Sequence, residues 1–150
     1  MGSIDKQLAE LVAREAIREL PQRYCDCVWR NDIDGLVDLF TADGRFVAEM
    51  SGITMTVVGQ DDIRAMFDQA LGMQPRPYIH NHVIELAGDG FASGRCYLDL
   101  RSARRDFAFL GAGYYEDDYL ATPAGWKFHS RRFFGLYMAE LPEGLVQDAS

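Results

Sequence analysis

The spacing of apolar positions in the first third of the chain is helical. Leu8, Leu11 and Val12, with Glu15 and Arg18 on the same 3.6-residue repeat, predict an amphipathic helix from about Ser3 or Ile4 to Leu20, with Ser3 or Asp5 able to cap its start. Pro21 then breaks or kinks it, or opens a second helix whose stripe runs through Tyr24, Cys27, Val28 and Trp29. Asn31-Asp32 can cap a third helix, Ile33 to Phe40, which ends before the Asp43-Gly44 turn. Arg45 to Met50 and Thr54 to Val58 read as short strands. A helix follows from about Asp61 to Leu71, its acidic start suited to the positive end of the helix dipole. Beyond Pro75 and Pro77 the period changes. Ile79 to Leu86, Phe91 to Leu100, Phe107 to Tyr119 and Trp126 to Tyr137 form four long strand candidates joined by short turns. Helices first and strands later, with short connections, predict an α+β domain in which helices cover one face of a curved, mostly antiparallel sheet. The segment from Pro142 to Ser150 is poor in apolar residues and is expected to be loosely held.

Composition adds boundaries to this picture. The chain of 150 residues is the size of one domain, and its 48% hydrophobic and 25% charged residues are ordinary for a globular protein. A net charge of -8 argues against nucleic-acid binding, which needs a basic footprint. Charges within the first helix argue against a signal peptide, and no apolar stretch is long enough for a membrane span. Cys25, Cys27 and Cys96 form no disulfide framework, and each is expected to be a reduced, buried small hydrophobe, which points to a cytoplasmic protein.

The candidate chemistry begins with histidine. Period two puts His80 and His82 on one strand face together with Ile84 and Leu86, so at least one imidazole is expected to be partly buried and in need of polar partners. Asp26 lies in the otherwise apolar run Tyr24-Cys25-Asp26-Cys27-Val28-Trp29; it sits on a solvent rim or in an ion pair, or it meets a sheet histidine and orients it as a base. His129 shares a face with Lys127 and Arg131 by the same period. Tyr24, Tyr97, Tyr114 and Tyr115 could donate to a substrate oxygen or simply fill the core. His80-x-His82 could also supply two metal ligands, but no metal or cofactor is expected, and phosphate-loop, G-x-S-x-G, HExxH and dinucleotide motifs are missing.

Three local signatures, in this order, resemble the SnoaL-like branch of the NTF2-like superfamily and, within it, scytalone dehydratase-like proteins. They are Arg23-Tyr24-Cys25-Asp26 followed by Asp32 to Gly44, then Ile79 to Leu86, then Gly113-Tyr114-Tyr115-Glu116-Asp117 with Gly125-Trp126-Lys127-Phe128. The resemblance covers about residues 8–137 and implies a single domain over 1–150: a cone of helices closed by a curved mixed sheet around an apolar pocket. It further implies a cofactor-independent, dehydratase-like lyase acting on a small cyclic or aromatic oxygenated molecule, with Asp26 supporting His80 or His82 as the base and Tyr24 at a substrate oxygen; Tyr97, Tyr114 and His129 are the further residues expected around the substrate. With Asn81 set against the asparagine common on this strand, the usual catalytic-histidine position falls on Pro77, so His80 or His82 would act from a shifted place. The same superfamily includes isomerases, polyketide cyclases and non-catalytic modules like dioxygenase small subunits. It also implies a homodimer or homotrimer, for which Phe107, Phe109, Trp126 and Phe128 offer apolar material.

Overall fold

The computed structural model describes residues 2–141; the expectation for the segment from Pro142 onward lies outside the described residues. Helix α1 (Gly2–Arg30) is followed by α2 (Ile33–Asp38), β1 (Phe40–Met50), β2 (Ile53–Val58), α3 (Gln60–Ala70), β3 (Pro75–Gly88), β4 (Phe91–Ser102), β5 (Ala108–Thr122) and β6 (Gly125–Met138). The six strands form one sheet in the order β2-β1-β6-β5-β4-β3. Every neighbouring pair is antiparallel except β1 and β6, which run parallel. The helices pack on the concave side of this open, curled mixed sheet, the α+β cone that the resemblance implies.

Two helical boundaries differ from expectation. Pro21 neither ends nor divides α1, which is continuous through Arg30. A proline there removes one backbone donor, but Pro21 is fully buried beside Leu20 and Tyr24, and packing on the sheet holds the helix together. Helix α2 stops at Asp38, two residues early. Asp32 caps it as expected, its carboxylate accepting from the Gly35 N–H at 2.9 Å. Phe40 instead opens β1, because it pairs with Phe128 and buries its ring completely against it.

The core of α1 begins only at Ile17. Leu8, Leu11 and Val12 are 59, 64 and 62% exposed, so the first apolar stripe of the sequence makes a helix without making core. Helix α1 lies mainly along β3, anchored at two backbone carbonyls: Arg14 Nη1 donates to Ile84 O at 2.9 Å and Trp29 Nε1 donates to Pro77 O at 2.8 Å. Pro75 and Pro77 are tolerated because β3 is an edge strand with a partner on one side only.

Two β-bulges decide which side chains face inward. In β3 the register with β4 slips between Ile79 and His82, and in β6 the register with β5 slips between Phe128 and Ser130. Each bulge inserts one extra residue and reverses the inside-outside alternation beyond it. His80 and His82, expected on one face, therefore point to opposite faces, and Arg131, expected beside His129, turns inward with Phe128.

Candidate functional site

The inner face of the sheet carries two adjoining features, an apolar cavity and a buried polar chain. The cavity, about 110 Å³, lies between α3 and the sheet and is walled by residues such as Phe46, Met50, Phe67, Leu100 and Phe133. Among the described residues that line it, only Tyr24, Tyr115 and Gln69 have polar side chains. Its size is comparable with the ~150 Å³ apolar cavities that hold one benzene ring. Tyr24 and Tyr115 meet edge to face, ring centroids 5.7 Å apart, and form the wall behind which the polar chain starts.

That wall stands on Arg131. Its guanidinium carbon lies 3.5 Å from the Tyr115 ring centroid, 4.2 Å from that of Tyr24 and 4.6 Å from that of Phe128. The side chain is fully buried, and its Nε sits 3.3 Å from Asp117 Oδ1. None of the three guanidinium nitrogens has a hydrogen-bond acceptor among the described residues. A desolvated cation without hydrogen bonds is costly; three aromatic faces and one carboxylate are what compensate it here. Although burial works against the charge, Asp117 and the phenols hold the Arg131 guanidinium above its ordinary value, so it stays cationic.

From Asp117 the chain continues along β5 and across to β3. Tyr119 donates its hydroxyl to Asp117 Oδ2 at 2.9 Å, and His82 Nε2 lies 2.9 Å from the same hydroxyl. Because that hydroxyl has one proton and gives it to Asp117, the consistent assignment has His82 donating through Nε2–H. His82 Nδ1 is then left with a lone pair. Burial, with the positive charges of Arg131 and Arg18, pushes the imidazole down to about 4, so it is neutral at pH 7. Burial pushes the Asp117 carboxyl up to about 6 while Arg131 and the Tyr119 hydroxyl pull it back. Burial also raises the phenols of Tyr24, Tyr115 and Tyr119, which keeps them protonated and able to donate. Cys25 and Cys96 border this cluster as thiols that burial pushes up to about 12 and about 11, too high for a thiolate role.

A missing side chain makes the junction possible. A Cβ on Gly94 would stand 2.9 Å from the Tyr119 hydroxyl and 2.8 Å from Val83 O. Gly94→Ala is expected to force the phenol out of line between His82 and Asp117 and to destabilise the protein by roughly 1–3 kcal/mol, the usual cost of overpacking. A urea titration would measure the cost, and an unshifted His82 ring resonance would contradict the geometry.

The residues expected from the sequence are dispersed. Only Tyr24, Tyr115 and His82 lie on the inner face with these features. Asp26 is on the outer side of α1, 63% exposed and 3.2 Å from Arg30, so the anticipated contact with a strand histidine does not form. The reason is helical phase: the buried face of α1 runs through Leu20, Tyr24, Cys27 and Val28, and Asp26 falls outside it. Asp26→Asn should therefore change stability by less than about 0.5 kcal/mol, as a thermal melt would show. His80 faces outward toward Asp99. On the outer face Tyr114 stacks on Phe134 and meets the ring of Tyr97 at a tilt. His129, displaced by the β6 bulge, contacts Thr41 Oγ1 at 3.2 Å and is half-exposed. Pro77, where the resemblance would set the histidine, lines the cavity and offers only its carbonyl, already bound by Trp29. Among the described residues no cluster of three potential metal ligands occurs, and no helix is long and apolar enough to cross a membrane.

Sequence reasoning missed Asp117, Tyr119 and Arg131. The alternation Tyr115-x-Asp117-x-Tyr119 was a usable signal, since one face of a long central strand carries all three. Arg131 was hidden by the bulge.

A curled sheet wrapped on helices around an inner cavity defines the class to which the chain conforms, and comparison with known proteins agrees. Residues 9–132 match the model of the SnoaL-like domain, and the chain belongs to that family. An NTF2-like protein with a cystatin-like fold from Novosphingobium aromaticivorans is 24% identical over 98% of this chain and 97% of its own, with a TM-score of 0.79. The hexachlorocyclohexane dehydrochlorinase LinA-type3 from Novosphingobium barchaimii is 18% identical over 90% and 94%, TM-score 0.76. A scytalone dehydratase candidate from N. aromaticivorans is 18% identical over 92% and 91%, TM-score 0.72. These likenesses are of fold; no curated protein matches the chain in sequence.

Proposed function

We propose that the protein is a cofactor-independent lyase acting on a small cyclic or aromatic oxygenated molecule by elimination, with His82 as the base. The observation that carries this reading is the guanidinium of Arg131 stacked beneath the two phenols that wall an apolar cavity. An oxygen received by Tyr24 or Tyr115 would meet a hydrogen-bond donor backed by a fixed positive charge, in surroundings with little water. Such preorganised stabilisation acts on the negative charge that develops when a proton is removed α to a carbonyl. His82 enters through its free Nδ1 lone pair, with Tyr119 and Asp117 holding the other nitrogen in the supporting role first expected of Asp26. This requires the substrate to extend past Tyr115 toward β3, because His82 is not among the residues lining the cavity. Loss of water or another leaving group from the neighbouring carbon completes the reaction; without a leaving group the same site isomerises or cyclises. His80, Tyr97, Tyr114, His129 and Asp26 take no part in this reading, and no cofactor or metal is invoked.

A second reading, binding without turnover, is favoured by one observation: among the described residues the cavity lining holds no carboxylate and no imidazole. The two separate experimentally. Hydroxylated cyclic ketones and chlorinated cyclohexanes incubated with the protein should give unsaturated products with release of water or chloride. Rearranged products of unchanged mass would point to an isomerase. Ligands that bind and are recovered unaltered would favour the second reading, and failure to bind would discard both. The proposal keeps a homodimer or homotrimer through the outer sheet face, although Phe128 is fully buried and cannot contribute. Sedimentation equilibrium tests it, a monomer being the contrary result.

A further inference from the structure

His80 is left without a role by the inner-face chemistry, yet its surroundings are organised. On the outer face, at the β3 edge of the sheet, Tyr78, His80, Asp99, Arg101 and Phe107 line an open depression of about 450 Å³. His80 Nε2 stands 3.0 Å from Asp99 Oδ2, and its Nδ1 is engaged by no other side chain among the described residues. Arg101 forms no ion pair and no side-chain hydrogen bond among the described residues; its guanidinium only rests 5.6 Å from the Phe109 ring centroid. Tyr78 and Phe107 are 44 and 45% exposed, and both are braced from behind by Trp29, with ring centroids 5.4 and 6.0 Å away.

The backbone sets up this patch in two ways. Tyr78 and His80 keep the regular outward alternation of β3 ahead of its bulge, which re-aims His82 and the residues beyond it to the other face. Phe107 and the preceding Asp106 both have left-handed backbone, at φ 62 and 55. A bulky aromatic residue is strained there, where glycine or asparagine would be at ease. Strain of this kind persists where surrounding structure enforces it and concentrates at ligand sites.

We propose that this depression is a second small-molecule site, which takes an aryl carboxylate. Arg101 receives the carboxylate in its planar fork, Tyr78 and Phe107 hold the ring between them, and the Nδ1 edge of His80 faces a ring substituent. Asp99 is engaged by His80 Nε2 at 3.0 Å, whereas Arg101 has no ion-pair partner among the described residues, so Arg101 is the cation that selects an anion. With a net chain charge of -8, general attraction cannot substitute for this local contact. The site lies on the opposite face of the sheet from the apolar cavity and does not depend on the lyase reading.

The test is a titration with benzoate followed by ¹H–¹⁵N correlation spectra, using the Trp29 indole N–H as reporter. Cyclohexanecarboxylate and benzylamine serve as controls for planarity and charge. The expected result is a saturable shift of the Trp29 and Arg101 resonances with benzoate and a much weaker one with either control. Arg101→Ala, and more mildly Arg101→Lys, should weaken binding, the former by at least about tenfold, equivalent to about 1.4 kcal/mol. Phe107→Gly should weaken it similarly while leaving Tm unchanged or raised, because it removes the platform and the backbone strain together. Absence of a saturable shift overturns the proposal. So do shifts centred on Tyr115 and Leu100 that survive both variants, which would place benzoate in the apolar cavity. A change of oligomeric mass in the variants that accounts for the lost binding would make the patch a subunit contact and would also overturn it.

Discussion

Asp117→Asn is expected to be the most damaging single substitution in the protein. It keeps the shape of the side chain but removes the one carboxylate paired with the buried Arg131 among the described residues, leaving a cation with no hydrogen-bond acceptor among them. Breaking a buried ion pair from one side usually costs about 3–5 kcal/mol. For a domain of this size that corresponds to a fall in Tm of roughly 6–20 °C and to a large share of a total stability of about 5–15 kcal/mol. The partner variant makes the cause testable. Asp117→Leu combined with Arg131→Met exchanges the ion pair for apolar contacts and should recover most of the loss, since such replacements are commonly neutral or stabilising. Equilibrium unfolding of the three proteins would decide. If the double variant is as unstable as Asp117→Asn, the damage comes from packing around Tyr119 and not from the uncompensated charge.

The second large effect is expected at His82. In the lyase reading, His82→Gln removes the base and should lower kcat by about 10²–10⁴-fold, with Tyr119→Phe falling between this variant and the unaltered protein because it only unseats the ring. The pH dependence carries the distinguishing information. A base held down to about 4 stays unprotonated in mild acid, so the acid limb of kcat/KM should lie near pH 4 and not near the ordinary histidine value. The same shift acts on folding. With the folded value below the unfolded one, the His82 contribution is complete above the unfolded value near 6.5 and is lost as pH falls through 4. His82→Gln removes that loss, so the variant should gain stability relative to the parent as pH falls from about 6.5 to about 4. Urea melts at several pH values would show it; a constant difference would mean that His82 is not held neutral by its surroundings. Unchanged kcat in His82→Gln would remove the imidazole from the mechanism and leave binding without turnover as the better account of the cavity.

Much of the architecture was legible in the chain because it depends on local periods. The change from 3.6-residue to two-residue spacing after Pro77, the Asp32 cap and the tight turns between late strands are short-range signals, and all reappear in the fold. The sequence also carried the family resemblance and, through Tyr24, one wall of the cavity. It was misleading wherever the outcome depended on long-range contact. The stripe of Leu8, Leu11 and Val12 has the period of a buried face but no surface of this domain to cover it. Pro21 carries a local signal to stop that packing overrides.

The candidate site shows the division most clearly. Period two describes an undisturbed strand, so it placed His80 with His82 and Arg131 with His129. Each pair is separated by one inserted residue, and a bulge is defined by register against the neighbouring strand. By itself the sequence determined the class of fold, the helical and extended segments and the supply of histidine, tyrosine and carboxylate. Only the tertiary structure decided that His82, Tyr119, Asp117 and Arg131 form one chain against the cavity wall while Asp26 and His80 face outward. Which face a side chain takes is fixed by strand pairing and helix docking, interactions between residues far apart in sequence.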